Sequence, residues 1–342
     1  MRSHSVDTDR LRMHLVESGP EDGVPVVLIH GNLSTGRFYE HLFEAAPERY
    51  RLLAPDMRGF GDTENVPIDA TRGLRDWADD TAALVEALGI EMPHLVGWST
   101  GGAAVAAYAL DRPVASLTLL DPVSPYGFGG VKLDGTPHFP DYAGSGGGTG
   151  NPAFTARLEA GDRSADGDFA PRNVMNSSYW RPDHRESPER EDMLVDEILK
   201  TVIGDDGYPG DSSGSEHWPG VAPGTRGILN ALSPKYCNWA GIVDLEPKPP
   251  ILWTHGSADI VVADGSPWEM GTLGQLGAIP GWPGPEAFPP QPMVTQIRAV
   301  LERYAATGGR VETEIFEGSG HCPAFDERER WSARFFGFLE SL

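Results

Sequence analysis

The chain has 342 residues, is 39% hydrophobic and carries a formal net charge of −23. That size allows one large core, alone or with a smaller appended unit, and excludes bulk disorder, while the acidic balance repels nucleic acid and anionic membranes, so neither is expected as a partner. No stretch approaches the roughly 20 apolar residues of a bilayer span. The opening MRSHSVDTDR has no apolar h-region, so no signal peptide is expected, and two cysteines, Cys237 and Cys322, with no CxxC favour packing roles and a reducing, cytoplasmic compartment.

In chain order, residues 10–17 (RLRMHLVE) alternate and predict a strand, closed by a turn at EDG. VPVVLIHG (24–31) is a short continuous apolar run, the pattern of a strand buried on both faces of a parallel sheet. Residues 37–50 have helical spacing, and RLLAPD (51–56) is another buried strand leading into the loop MRGFGDT. An amphipathic helix is predicted at 74–90, with Trp77, Leu84 and Leu88 at helical intervals. HLVGW (94–98), TGGAAVAAYAL (100–110) and SLTLLDPV (116–123) then read as strand, helix and strand. Such alternation predicts an α/β fold, a mostly parallel sheet with helices on both faces.

The rhythm breaks near Pro125 and resumes at PPILWTHGSAD (249–259), a strand ending in Asp259. Residues 124–248 therefore read as one insertion in a domain made of 1–123 and 249–342. Within it, ERED-MLVDEILKTVI is helix-like. A second irregular stretch, 264–292, is dense in Gly, Pro and Trp; long structureless stretches often serve as lids or binding loops. A helix at 294–307, a strand at 311–318 and a closing helix at 326–342 complete the chain.

Gly97-Trp98-Ser99-Thr100-Gly101 fits G-x-S-x-G between a predicted strand and a predicted helix. A sharp strand-to-helix turn forces its central residue into strained backbone angles and needs small neighbours. Ser99 would then stand at a helix N-terminus, which favours an anion. A serine hydroxyl needs a base to take its proton and a carboxylate to orient that base. Of ten histidines, His321 follows the last strand within EGSGHCP, and Asp259 ends an earlier one. Strand C-terminal ends share one sheet edge, and the order Ser, Asp, His belongs to one fold. Asp121, ending LTLLD, is an alternative orienting acid. Backbone donors for an oxyanion are expected from Thr100 and from Asn32, with Leu33 as fallback. His30, ahead of Ser99 in the chain, reads as an organiser of that loop, and Cys322 as packing.

With HGN at 30–32, DMRGFGDT at 56–63, GWSTG at 97–101 and Gly-x-Gly-His at 318–321, residues 10–123 and 249–342 resemble the α/β-hydrolase family. The resemblance implies an eight-stranded sheet, a Ser99–His321–Asp259 triad, no metal or organic cofactor, and a cap at 124–248. It makes Asp56, Arg58, Gly59 and Gly61 structural turn residues, with Thr63 in place of the usual serine. A serine nucleophile rather than an aspartate argues against haloalkane dehalogenase and epoxide hydrolase relatives.

The substrate reading rests on aromatic residues: Tyr179, Trp180, His217, Trp218, Trp268 and Trp282 as lid candidates, with Trp98 behind the turn. Such clusters are more often core; facing a cavity they make it wide and apolar. Leu33, Trp98, Tyr179, Trp180 and Trp218 are accordingly the candidate substrate contacts, for a small apolar or aromatic ester or lactone. Arg172, Arg181 and Lys235 read as solvated surface rather than a carboxylate site. Alternatives are C–C bond hydrolysis, cofactor-free perhydrolysis, and a non-catalytic ligand-binding protein on the same fold.

Overall fold

The computed structural model describes residues 1–342. Eight strands form one sheet: β1 Arg2–Asp7, β2 Arg12–Ser18, β3 Val24–Ile29, β4 Tyr50–Pro55, β5 His94–Trp98, β6 Ser116–Leu120, β7 Ile251–Gly256 and β8 Val311–Phe316. Their spatial order is β1-β2-β4-β3-β5-β6-β7-β8, antiparallel at β1–β2 and β2–β4 and parallel from β4 to β8. This is the α/β-hydrolase fold. The continuous apolar runs are the central strands, and Val26 to Ile29 and Leu117, Leu119 and Leu120 are wholly buried.

Helices α1 Glu40–Ala45, α2 Arg75–Ala87 and α3 Thr100–Asp111 connect β3 to β4, β4 to β5 and β5 to β6 in turn. Helix α3 is buried from Thr100 to Ala109 because its small residues let it lie close against the sheet. The expected helix at 37–50 is shorter: a 3₁₀ turn at Gly36–Tyr39 runs into α1, which ends before Pro47. The N-terminal strand β1 has no counterpart in the sequence reading. It is an edge strand whose RSHSVD side chains are mostly exposed, so it carries no apolar run, and pairing with β2 makes it a strand.

Residues 124–248 contain α4 Pro152–Glu159, α5 Pro171–Ser178, α6 Pro188–Ile198, α7 Ile228–Ala231 and two ladders of two or three residues per strand. The buried Asn230 is its hub. Its Oδ1 accepts from the amides of Gly147 (2.8 Å) and Gly224 (3.0 Å), and its Nδ2 donates to the carbonyls of Asp211 and Arg226, both at 2.7 Å. The segment rests on the loops that leave β3 and β4. The Val202 amide donates to the Gly59 carbonyl at 2.9 Å, the Ile68 amide to the Asp206 carbonyl at 3.0 Å, and the Thr35 hydroxyl to Glu197 at 2.9 Å. These contacts place it beside the C-terminal ends of β3 and β4.

The stretch 264–292 is not wholly irregular, since α8 Met270–Gln275 is capped by Glu269. Gln291 ties it to the insertion, accepting from the Gly129 amide at 2.6 Å and donating to the Gly127 carbonyl at 3.1 Å. Helix α9 Met293–Ala306 precedes β8, a short helix α10 Pro323–Asp326 follows it, and the closing helix expected at 326–342 is α11 Arg328–Glu340. No helix is long and apolar enough to cross a membrane.

Candidate active site

Ser99 joins β5 to α3 with φ 55° and ψ −115°, a conformation few L-residues adopt. Its neighbours permit this by lacking side chains. A Cβ on Gly97 would lie 2.2 Å from the Gly101 carbonyl oxygen, and one on Gly101 would lie 2.1 Å from that of Ile29. The Ser99 amide donates to the Leu120 carbonyl at 3.0 Å, which pins the turn to β6. Thr100 opens α3, and the first N–H groups of a helix have no intrahelical acceptor.

His321 lies on the loop after β8, and its Nδ1 is 2.8 Å from Asp259 Oδ2. Asp259 Oδ1 accepts from the amides of Val261 (2.7 Å) and Val262 (3.1 Å). Burial alone would raise the Asp259 carboxyl; the adjacent His321 and these donors outweigh it and hold the carboxyl below its ordinary value. With Nδ1–H directed at Asp259, Nε2 is the ring nitrogen left to act as a base. The loop is held from both sides: Trp98 Nε1 donates to the His321 carbonyl at 2.8 Å, and Asp326 accepts from the Gly320 amide at 2.7 Å. Ser99, Asp121, Asp259 and His321 thus follow β5, β6, β7 and β8, four successive strands of the sheet. Ser99 and His321 form no hydrogen bond to each other here; in sites without substrate such bonds are often long and tighten on binding. Asp121, the alternative acid, is bonded elsewhere: its Oδ1 accepts from the Gly256 amide at 2.8 Å.

The loop after β3 passes directly against the serine, since a Cβ on Gly31 would lie 3.2 Å from Ser99 Cβ. His30 organises it. Its Nδ1 is 2.7 Å from the Gly31 carbonyl and its Nε2 accepts from the Met57 amide at 2.9 Å. Burial lowers this imidazole to about 4, so it is neutral. The turn DMRGFGDT comes next in the chain after β4. Asp56 accepts from the amides of Gly36 and Asp62, both at 2.9 Å, and Thr63 Oγ1 donates to the Asp56 carbonyl at 2.7 Å.

Of the candidate substrate contacts, several are placed elsewhere. Trp98 and Trp180 are 2% and 1% exposed. Trp98 is packed between Phe38 and Tyr179, and Trp180 is stacked on Phe325, so neither has a face left for a ligand. Trp218 donates from Nε1 to the Pro280 carbonyl at 2.9 Å and packs edge-on against Phe288, joining the two irregular segments. Tyr179 is buried and reaches the loop after β3: its Oη donates to the Leu33 carbonyl at 2.9 Å and lies 3.2 Å from that of Asn32. Leu33, at φ 53°, is the strained residue of that loop. Two residues of the site escaped sequence reasoning, Tyr179 as a loop anchor and His255, the penultimate residue of β7, beside Asp121 and Asp259. The THGSAD run carried the only signal for His255.

Two groups of side chains have metal-ligand proximity, His14 with Asp56 and Asp62, and Asp121 with His255 and Asp259. In the first, Asp56 is already taken by two amides and by His14 Nδ1 at 2.8 Å. A cleft of about 550 Å³ between residues 184–187 and 325–330 contains none of Ser99, Asp259 or His321. Two of its arginines face carboxylates, Arg330 pairing with Glu327 at 3.0 Å and Arg328 with Glu186, and Arg185 donates to the Pro182 carbonyl at 2.9 Å.

Comparison with known proteins adds a family. The alpha/beta hydrolase family matches residues 26–334. The 2-hydroxy-6-oxo-6-phenylhexa-2,4-dienoate hydrolase of Burkholderia cepacia is 34% identical over 106 residues, 30% of this chain and 36% of that protein. An uncharacterized carboxylesterase, nap, of Bacillus subtilis (strain 168) is 30% identical over 128 residues, 36% of this chain and 42% of that one. The chain therefore spans well under half the length of these curated relatives. Among solved structures, a thermophilic esterase from Thermogutta terrifontis aligns with a TM-score of 0.59 at 19% identity, covering 100% of this chain and 99% of that one. An esterase from Exiguobacterium antarcticum aligns with a TM-score of 0.59 at 17% identity, covering 99% and 100%. At these identities the likeness is one of fold.

Proposed function

The chain belongs to the alpha/beta hydrolase family, and on that premise we propose that it is a serine hydrolase cleaving a small carboxylic ester or lactone through an acyl-enzyme. The observation that carries the reading is the 2.8 Å bond between His321 Nδ1 and Asp259 Oδ2 at the same sheet edge as the strained Ser99. His321 Nε2 takes the Ser99 proton as Oγ attacks the acyl carbon, and Asp259 holds the imidazole in the required tautomer. The N–H groups of Thr100 and Asn32 receive the oxyanion. Collapse breaks the acyl–oxygen bond, and the departing alkoxide takes the proton from His321. A water deprotonated by the same nitrogen then releases the acid and restores Ser99.

Residues 124–248 serve in this reading as the cap over the site, with Tyr179 anchoring it to the oxyanion loop. An uncharged substrate is favoured because the candidate cations are occupied: Arg172 pairs with Glu191 and Asp192, Arg181 pairs with Asp183, and Lys235 lies over the Tyr236 ring. The formal charge of −23 also repels anions.

Ser99→Ala tests the reading on p-nitrophenyl esters. Turnover is expected to fall by about 10³-fold or more, and fluorophosphonate labelling to vanish; undiminished turnover would overturn it. The likeness to the Burkholderia cepacia dienoate hydrolase favours C–C bond hydrolysis as the second reading. A panel pairing esters and lactones with vinylogous 1,5-diketones decides between them.

A further inference from the structure

Two buried groups beside the proposed triad have no part in the steps above. Asp121 follows β6, between Ser99 after β5 and Asp259 after β7, and is wholly buried at φ 41°, a conformation that costs energy for any residue but glycine. Its Oδ1 accepts one amide, that of Gly256, while its Oδ2 has no donor at all. A carboxylate oxygen of Asp121, one of Asp259 and a ring nitrogen of His255 all lie within 4.8 Å of one another. His255 lies against both, its Nδ1 3.3 Å from Asp121 Oδ1 and its Nε2 3.8 Å from Asp259 Oδ2.

Two carboxyls this close, out of water, do not both ionise without a counter-charge. Asp259 has the stronger hold on the negative charge, with His321 and two amides donating to it. His255 does not supply the counter-charge: burial disfavours its charged form, and Nδ1 makes no hydrogen bond in spite of its distance. We propose that Asp121 stays protonated near neutral pH and donates a hydrogen bond from Oδ2 to the Asp259 carboxylate, as a positioning residue for the triad. The inference rests on the Ser99–His321–Asp259 reading. Burial, then the charge of Asp259, push the Asp121 carboxyl well above its ordinary value, with Asp326 acting in the same sense. The titratable groups around Asp121 are Asp259 and His255 from the β7 side, and Cys322 and Asp326 from the segment after β8. A donor to Asp259 draws off part of its charge, which makes His321 less basic and keeps it a free base to lower pH.

The experiment has two arms. Infrared spectra at neutral pH are expected to show the carbonyl stretch of a buried carboxylic acid in the wild type and to lose that band in Asp121→Asn. In the second arm, the pH profile of kcat/KM for p-nitrophenyl acetate is compared across variants. The amide of Asp121→Asn keeps both the acceptor for Gly256 and a donor for Asp259, so its acidic limb is expected within about 0.3 pH unit of the wild type. Asp121→Ala has no donor, and its limb is expected to move up by about half a unit to one unit, with kcat about tenfold lower and KM within about twofold. A wild type without the acid band overturns the proposal. So does an Asp121→Asn limb displaced downward by about a unit or more, since that is the effect of removing a buried negative charge. Should Asp121→Ala not fold, the band and the Asn variant still decide. The band needs no turnover, so it reports on the Asp121 proton even if ester hydrolysis through Ser99 fails.

Discussion

The edge of the sheet at β5 and the insertion at 124–248 both depend on glycine, and in different ways. At the edge, glycines are required because backbone meets backbone: Gly97 against Gly101, and Gly101 against Ile29 and His30. In the insertion the glycines are of two kinds: a Cβ on Gly207, Gly210 or Gly227 would also meet backbone, at 2.1, 2.4 and 2.3 Å, whereas one on Gly161 or Gly214 would face open space. The first region is close-packed at each of these glycines, and the second only at some of its glycines, with Asn230 as its polar hub. Tolerance to substitution should differ accordingly, and so should what each region contributes to the site.

The sharpest break is expected from Gly101→Ala. The added methyl would sit 2.1 Å from the Ile29 carbonyl oxygen and 2.6 Å from that of His30, and neither backbone atom can rotate away. A loss of about 3 kcal/mol or more in unfolding free energy is expected, together with the activity of the turn that presents Ser99. Gly214→Ala, with nothing within 4 Å, should stay within about 0.5 kcal/mol of the wild type. Denaturant unfolding of both variants measures this, and equal losses would remove the distinction between the two regions.

The same distinction explains what could be read from the sequence. Buried strands are legible because continuous apolar runs have few other uses, and VPVVLIHG and HLVGW are β3 and β5 within a residue or two. The turn at Ser99 is legible because steric demand leaves a mark in residue identity. The strand β1 is not, because an edge strand needs only one partner and keeps polar side chains outward. The insertion is legible only at its helix α6, which ERED-MLVDEILKTVI announces; its ladders are two or three residues long and leave no pattern. Trp98 and Trp180 show a further limit. A large aromatic beside a reactive motif looks like a pocket wall, and only packing partners reveal it as core. His255 meets Asp121 and Asp259 across strands, and such a meeting has no spacing in one dimension.

A smaller effect is expected where the two regions join. Tyr179→Phe removes one hydroxyl that donates to the loop holding Asn32 and Leu33. If that loop supplies an oxyanion donor, kcat should fall about five- to tenfold with KM within about twofold, because the lost interaction positions a group used in the transition state. The stability cost of one hydrogen bond is about 1 kcal/mol. A change in KM with kcat unaltered would return Tyr179 to the role of a substrate contact.

The smallest effect concerns the core side of that junction. His14 on β2 holds Asp56 through Nδ1 and meets Ser3 Oγ through Nε2, both at 2.8 Å, and so locks the turn on which the insertion rests. Its hydrogen bond to Asp56 outweighs burial and raises the imidazole above its ordinary value. A group whose pKa is higher in the folded state adds stability fully below its unfolded value, about 6.5, and loses that contribution as pH rises through the folded value. Asp56 runs the other way. Burial would raise it, but His14 and the Asp62 amide outweigh burial and lower it, so its contribution is lost only as pH falls through its folded value in the acid range. The Tm advantage of the wild type over His14→Asn should therefore be greatest near pH 6 and shrink steadily toward about pH 9. An advantage that is flat over that range would mean that the imidazole is neutral in the folded protein, and that the turn is held by hydrogen bonding alone.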